Sequence, residues 1–274
     1  MSDLTITSPA NPRLKSLVAL RRRRARDAAG VTLVEGFEEL ALALDAGVTP
    51  RTLFVCSELF SPSGYAGVQE IGLQTDFVES ARAAGAEIVH VGRAAFEKVA
   101  YREGPDGLIG LLPPVDRSLA DLDVPADALL LVAQGVEKPG NLGAMLRTAE
   151  ASGVAAVIAA DPVTDWANPN VVRASKGAVF AVPVATATTA ALLDWADRLD
   201  IRLVVTTPGA SVRYTDVDLT GRVAIVVGAE KHGISPDLLA AGEPARIPLR
   251  GKVNSLNVAA AAAVVLFEAV RQRR

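Results

Sequence analysis

Four unbroken apolar runs constrain this chain more than any other feature: residues 128–133, 154–159, 203–205 and 223–227, built wholly of Ala, Val, Leu and Ile. Such runs leave no polar face. They predict strands covered on both sides, which is how a parallel sheet flanked by helices reads. Helix-like segments at 141–152, near 170–176 and at 190–199 lie between the runs, so this part is predicted as an α/β domain. Half of the 274 residues are hydrophobic but only 4% are aromatic, so the core must be packed mainly from Ala, Val and Leu.

The preceding part alternates as well. It reads as a strand at 32–35, a helix at 37–45, a strand at 52–56 and a Ser-, Gly- and Pro-rich loop or insertion at 58–75. A helix at 77–84, a strand at 87–91, a helix at 94–99 and a strand at 108–112 follow. Residues 1–112 are thus predicted as a small α/β domain. Residues 113–127, with Pro113, Pro114, Pro125 and four aspartates, read as a linker. Residues 128–274 form the second domain.

Net charge is −3, which disfavours unspecific nucleic-acid binding and requires any such contact to come from a local patch. One patch exists. A helix predicted to start after Pro12, with the apolar stripe Leu14, Leu17, Val18 and Leu20, carries Arg13, Lys15, Arg21, Arg22, Arg23, Arg24 and Arg26 with no acid among them. Either it is a solvated helix face or it contacts RNA or DNA phosphates. The single cysteine, Cys56, allows no disulfide within the chain and fits a reducing cytoplasm. With only His90 and His232 beside it, no metal site is expected. The opening residues lack a basic-then-apolar signal. No apolar run approaches the roughly 20 residues a membrane helix needs, so no membrane partner is expected.

Polar residues gather after the strand ends of the second domain, where open α/β sheets place ligands. After the run ending at Ala133 comes a segment with Asn141 at a helix start and Arg147 six residues on, about 9 Å further along an ideal helix. Arg147 either reaches back toward the helix start or pairs with Glu150. After Val227 comes Gly228-Ala-Glu-Lys-His-Gly-Ile-Ser-Pro, which resembles a phosphate loop in its glycine spacing but has Ile234 in place of the lysine. After Val205 comes Thr206-Thr207-Pro208-Gly209. The last cluster, from Ile247 to Asn257, runs into an apolar helix at 258–267, with Ser255 at the expected N-cap. That helix must bury itself against the body of the protein or a second subunit. No Gly-x-Gly occurs, so a nucleotide- or dinucleotide-dependent enzyme is disfavoured.

Three motifs stand in order: Asn141-x-Gly-x-x-x-Arg147-x-Ala149, Gly228-Ala-Glu230-x-x-Gly233-Ile-Ser235, and Ile247-Pro-Leu followed by Ser255-Leu-Asn257-Val. Together they resemble the SpoU/TrmH RNA ribose methyltransferases of the SPOUT superfamily, over residues 128–274. The N-terminal domain resembles that family's ribosomal-protein-like RNA-binding domain in Asn11-Pro-Arg-Leu-Lys and in Glu35-Gly36. It departs from it in following that pair with Phe37, Glu38 and Glu39. The resemblance implies a C-terminal domain tied in a deep trefoil knot, a topology nearly absent elsewhere. It implies S-adenosylmethionine as cofactor, held by Thr206, Thr207, Pro208, Gly209, Val227, Gly228, Glu230, Gly233, Ile247, Leu249, Ser255, Leu256 and Asn257. Arg147, Asn141, Glu230, Ser255 and Asn257 would form the catalytic set. Arg173 and Lys176 join the N-terminal basic residues as RNA contacts. A homodimer paired through the knotted domain is implied too. The expected reaction is 2′-O-methylation of RNA, most simply ribosomal RNA. The alternatives are transfer RNA as substrate and a non-catalytic RNA-binding or ribosome-assembly protein on the same fold.

Overall fold

The computed structural model describes residues 4–60, 70–229, 231–252 and 254–274. In chain order the first part carries β1 (Leu4–Ile6), α1 (Pro12–Ala19), α2 (Arg23–Ala29), β2 (Thr32–Glu35), α3 (Phe37–Asp45), β3 (Thr52–Val55), α4 (Glu70–Ala83), β4 (Glu87–Val91), α5 (Arg93–Val99) and β5 (Leu108–Leu112). The second carries β6 (Asp116–Arg117), β7 (Leu129–Gln134), α6 (Pro139–Ser152), β8 (Ala156–Ala160), α7 (Pro169–Ala174), α8 (Ala178–Ala181) and β9 (Val184–Ala187). It continues with α9 (Thr189–Arg198), β10 (Arg202–Thr206), β11 (Val223–Gly228), α10 (Pro236–Ala241), β12 (Glu243–Ala245) and α11 (Val258–Gln272).

Two units emerge. The first is Met1–Val115 with Ala167–Ala181, the second Asp116–Trp166 with Val182–Arg274. The first holds a five-stranded sheet in the order β1-β4-β3-β5-β2, with β1, β4 and β3 parallel and β5 antiparallel to both its neighbours, β3 and β2. Leu14, Leu17 and Leu20 pack with Phe54, Val89, Phe96 and Ile109 in its core. The single helix expected after Pro12 is two, α1 and α2, broken between Leu20 and Arg22. Helix α4 starts at Glu70, inside the segment read as a loop; residues 61–69 of that segment lie outside the described residues. Helices α7 and α8 pack on β2 and α3 and so belong to this unit.

The second unit holds a seven-stranded sheet in the order β12-β10-β11-β7-β8-β9-β6, parallel throughout. Strands β7, β8 and β11 are buried along all or nearly all their length, as unbroken apolar runs require. Residues 113–127, expected as a linker, are part of this unit from Asp116 on. Strand β6 pairs with β9, Leu122 lies in the core, and the Arg222 guanidinium donates to the carbonyls of Pro125 and Val124. Helix α11 buries Val258, Ala259, Ala262, Val265, Leu266 and Ala269 and packs on α6 and β11, leaving Phe267 half exposed. Among the described residues no helix is long and apolar enough to cross a membrane.

Candidate active site

Three chain segments that follow neighbouring strands meet in one cleft of about 460 Å³. The end of β10 and the segment after it contribute Thr206, Thr207 and Pro208; the end of β11 and the turn after it contribute Val227, Gly228, Ala229, Gly233 and Ile234. The long loop after β12 contributes Arg246, Ile247, Pro248, Leu249, Gly251, Asn254, Ser255 and Leu256, and α11 adds Val258 and Ala261. Parallel register brings the first two segments together at the carboxyl edge of the sheet. The third is tied to the first where the Thr207 N–H donates to the Ala245 carbonyl at 2.9 Å.

The turn after β11 doubles back tightly. The Gly233 N–H donates to the Ala229 carbonyl at 2.9 Å, and Gly233 sits at φ +65°. Gly228 lies so close beneath that a Cβ there would meet the Gly233 carbonyl oxygen at 2.4 Å. This glycine is required by close approach rather than by a left-handed backbone.

The cleft has the size and mixed polarity for a nucleoside bearing a sulfonium chain. Its volume falls within the usual range for small-molecule sites. Its walls combine Val227, Ile234, Ile247, Leu249 and Leu256 with polar loop backbone. The buried Thr206 Oγ1 has no hydrogen-bond partner among the described residues, an atom that a bound polar ligand would satisfy. The expected cofactor contacts Thr206, Thr207, Pro208, Val227, Gly228, Gly233, Ile247, Leu249, Ser255 and Leu256 all line the cleft, whereas Gly209 and Asn257 do not. Glu230 lies outside the described residues. Ala229, Ile234, Arg246 and Pro248 also line it.

Beside the cleft, α6 and α11 bring two asparagines together. Asn257, not Ser255, is the N-cap of α11: its Oδ1 accepts from the N–H groups of Ala259 at 3.0 Å and Ala260 at 3.4 Å. Its Nδ2 donates to Asn141 Oδ1 at 3.0 Å. Asn141 does not cap α6, because the helix already begins at Pro139, whose fixed φ suits the first helical position. Asn141 therefore presents its side chain from the first turn. A second, smaller pocket of about 60 Å³ is lined by Asn141, Glu137, Lys138, Lys231 and Val136, and shares Ala229 and Val258 with the cleft. Lys138 and Lys231 went unnoticed in the sequence because each is an ordinary loop lysine until the fold sets them at one pocket. Arg147 is exposed on α6 and pairs with no acid among the described residues, so its ion pair with Glu150 does not form.

In the first unit the basic stretch is largely spent on structure. Arg13 grips Glu87 through two hydrogen bonds, at 2.9 and 2.5 Å, and holds that carboxyl below its ordinary range. Arg21 donates to the Val99 and Ala100 carbonyls and lies over the Tyr101 ring. Arg23 faces Asp27 at 3.6 Å. Arg26 overturns its expected RNA contact: it is only 2% exposed and donates to the Leu20 and Arg21 carbonyls, stitching α1 to α2. Lys15, Arg22, Arg24 and Arg173 are exposed, and so is Lys176, which pairs with Glu38 at 2.7 Å. The Glu35-Gly36 pair is structural. The Glu35 carboxylate accepts from the N–H groups of Tyr101 and Arg102, and Gly36 at φ +122° leaves room for Glu39 and Arg102.

The sequence profile of the SpoU rRNA Methylase family matches residues 128–267, and that of the MRM3-like substrate binding domain matches residues 11–110. The 23S rRNA (guanosine-2'-O-)-methyltransferase RlmB of Xylella fastidiosa is 38% identical over 211 residues, covering 72% of this chain and 83% of that protein. The AdoMet-bound rRNA methyltransferase of Sinorhizobium meliloti superposes with a TM-score of 0.86 at 29% identity, covering 97% of each chain. An RNA 2'-O ribose methyltransferase superposes with a TM-score of 0.80 at 38% identity, over 98% of this chain and 99% of that one.

Proposed function

This chain belongs to the SpoU rRNA methylase family, and we propose that it methylates a ribose 2′-hydroxyl of RNA, using S-adenosylmethionine bound in the three-segment cleft. The observation that carries the reading is that cleft, set beside the Asn141–Asn257 hydrogen bond. When bound, the cofactor supplies a methyl group on a positively charged sulfur. Loop backbone around Ile247 and Leu256 would hold the adenine, Gly228 would admit the chain closely, and Thr206 would donate or accept one hydrogen bond.

The protein's remaining task is alignment of the ribose oxygen, which carries much of the rate in an in-line transfer. Asn141, which lines the smaller pocket, is held by Asn257. Lys138 and Lys231 suit the phosphate beside the target ribose. The hydroxyl proton must also leave. The charged guanidinium of Arg147 cannot take it, because it carries N–H donors and no acceptor. Its charge instead steadies the developing alkoxide or an RNA phosphate that takes the proton. Glu230 and Ser255 complete the set as positioning groups.

Ribosomal RNA is the substrate we favour, on the strength of the rRNA-modifying relatives and the substrate-binding profile over residues 11–110. Lys15, Arg22, Arg24 and Arg173 are the exposed cations for its backbone. The domains we propose are an RNA-binding N-terminal part and a trefoil-knotted methyltransferase domain, joined near residues 113–127. The half-exposed Phe267 on α11 supports homodimer contact through the latter. The lone buried Cys56 supports a reducing cytoplasmic setting. The test is incubation with methyl-labelled S-adenosylmethionine and unmodified ribosomal or transfer RNA, then alkaline hydrolysis. Label in alkali-resistant dinucleotides is expected, from ribosomal RNA. Label confined to mononucleotides would mean base methylation and overturn the reaction.

A further inference from the structure

A polar chain with a buried centre runs under the cofactor turn, and of its members only Ser235 stands in a sequence motif. Gln134, at the carboxyl end of β7, is 6% exposed, and Thr189, at the start of α9, is 9% exposed. The Gln134 amide nitrogen donates to Thr189 Oγ1 and to Ser235 Oγ, both at 2.8 Å, and its oxygen accepts the Ser235 N–H at 2.8 Å. The Thr189 hydroxyl donates to Asp161 Oδ2 at 2.6 Å, and the Thr189 N–H to Asp161 Oδ1 at 3.2 Å. The orientation of the amide follows from chemistry: a backbone N–H can only donate, so the Gln134 oxygen must face Ser235 N. The Thr189 proton goes to a carboxylate, so its oxygen must accept from Gln134. Each bond fixes the next.

Gln134 also holds the other end of the same turn. Its backbone is the ladder partner of Gly228, so the segment from Gly228 to Ser235 starts and ends on one residue. Between those anchors lie the cleft-lining Ala229, Gly233 and Ile234. Ser235 in turn caps α10, accepting from the Leu238 N–H.

We propose that Gln134 is a positioning residue for cofactor binding, acting through Ser235 to hold the Gly228–Ser235 turn in its binding shape. The proposal rests on reading the cleft as the S-adenosylmethionine site. Replacing the amide with an isosteric apolar chain strands the partly buried Ser235 N–H and frees one end of the turn.

The test measures the dissociation constant of S-adenosylhomocysteine, the KM for S-adenosylmethionine, kcat at saturating cofactor and Tm. Gln134→Leu is expected to raise the dissociation constant and cofactor KM about tenfold, with kcat within about twofold. Thr189→Val keeps both Ser235 bonds and is expected to raise them about threefold; it carries the test should Gln134→Leu fail to fold. Leu192→Ala is the control, a cavity in the same core that removes none of these hydrogen bonds. It is expected to lower Tm while leaving cofactor affinity unchanged. Wild-type affinity in both Gln134→Leu and Thr189→Val overturns the proposal. So does an equal loss of affinity in Leu192→Ala, which would make the effect one of general stability. A wild-type protein that binds no S-adenosylhomocysteine overturns the cofactor reading itself, and the positioning role with it.

Discussion

Of the three glycines that line the cofactor cleft, Gly228 and Gly251 have opposite tolerance for a methyl group. A Cβ on Gly228 would lie 2.4 Å from the Gly233 carbonyl oxygen, 2.5 Å from the Gly233 carbonyl carbon and 2.5 Å from Ile234 Cγ1. Two of these are backbone atoms, which cannot rotate away. Carbon contacts settle near about 3.5 Å, so the Gly233–Ile234 segment must retreat by roughly 1 Å. It is held by the Gly233–Ala229 hydrogen bond and the buried Ile234, so the shift tears at the turn. Overpacking of this kind costs about 1–3 kcal/mol. Taken from binding, that weakens the cofactor roughly 5- to 150-fold. On Gly251, by contrast, a Cβ meets nothing within 4 Å, and its backbone is not left-handed. Gly251→Ala should therefore bind within about twofold of wild type. Titration calorimetry with S-adenosylhomocysteine on both variants, with a melt on each, makes the comparison. The reasoning is refuted if Gly228→Ala binds like wild type, or if Gly251→Ala loses as much.

Arg147→Ala should abolish methyl transfer to RNA and leave S-adenosylhomocysteine affinity within about twofold; turnover like wild type would remove Arg147 from the chemistry. Asn257→Ala should destabilise the second unit by about 1 kcal/mol through loss of the α11 cap. Asn257→Asp keeps the capping oxygen but cannot donate to Asn141, so it should melt like wild type and methylate slowly; equal activity of Asp and Asn would separate that bond from function. Burial pushes the Glu39 carboxyl above its ordinary range, against partial compensation from Arg102 and Lys176. Its folded pKa is therefore raised, so its contribution to stability is full below about pH 4.3 and lost as pH rises through the folded pKa. Glu39→Gln should gain on wild type in urea melts at about pH 8 and show no gain at about pH 4. An equal difference at both values would exclude the ionisation as cause.

Burial on both faces writes itself into sequence as an unbroken apolar run, which is why β7, β8, β10 and β11 were legible as parallel strands. Helix α3 was legible from the same kind of local pattern, and the three motifs were legible as loops at strand ends. Short elements carried no such signature: β1, β6, β9 and β12 have two to four residues each and are placed by their neighbours. What only the tertiary structure decided are the pairings between residues far apart in the chain. Asn257 reaches Asn141 across 116 positions, Ser235 reaches Gln134 across 101, and Arg13 finds Glu87 across 74. The seven arginines and lysines of the N-terminal stretch look alike in sequence. Folding sorts them, because Arg26 and Arg21 fall where carbonyls need donors and Lys15, Arg22 and Arg24 fall toward water. Strand and helix follow from local sterics and hydrophobic pattern, which neighbouring residues determine together. Which side chain meets which depends on the order of strands in a sheet, and that order is set by the energy of the whole core rather than by any segment of it.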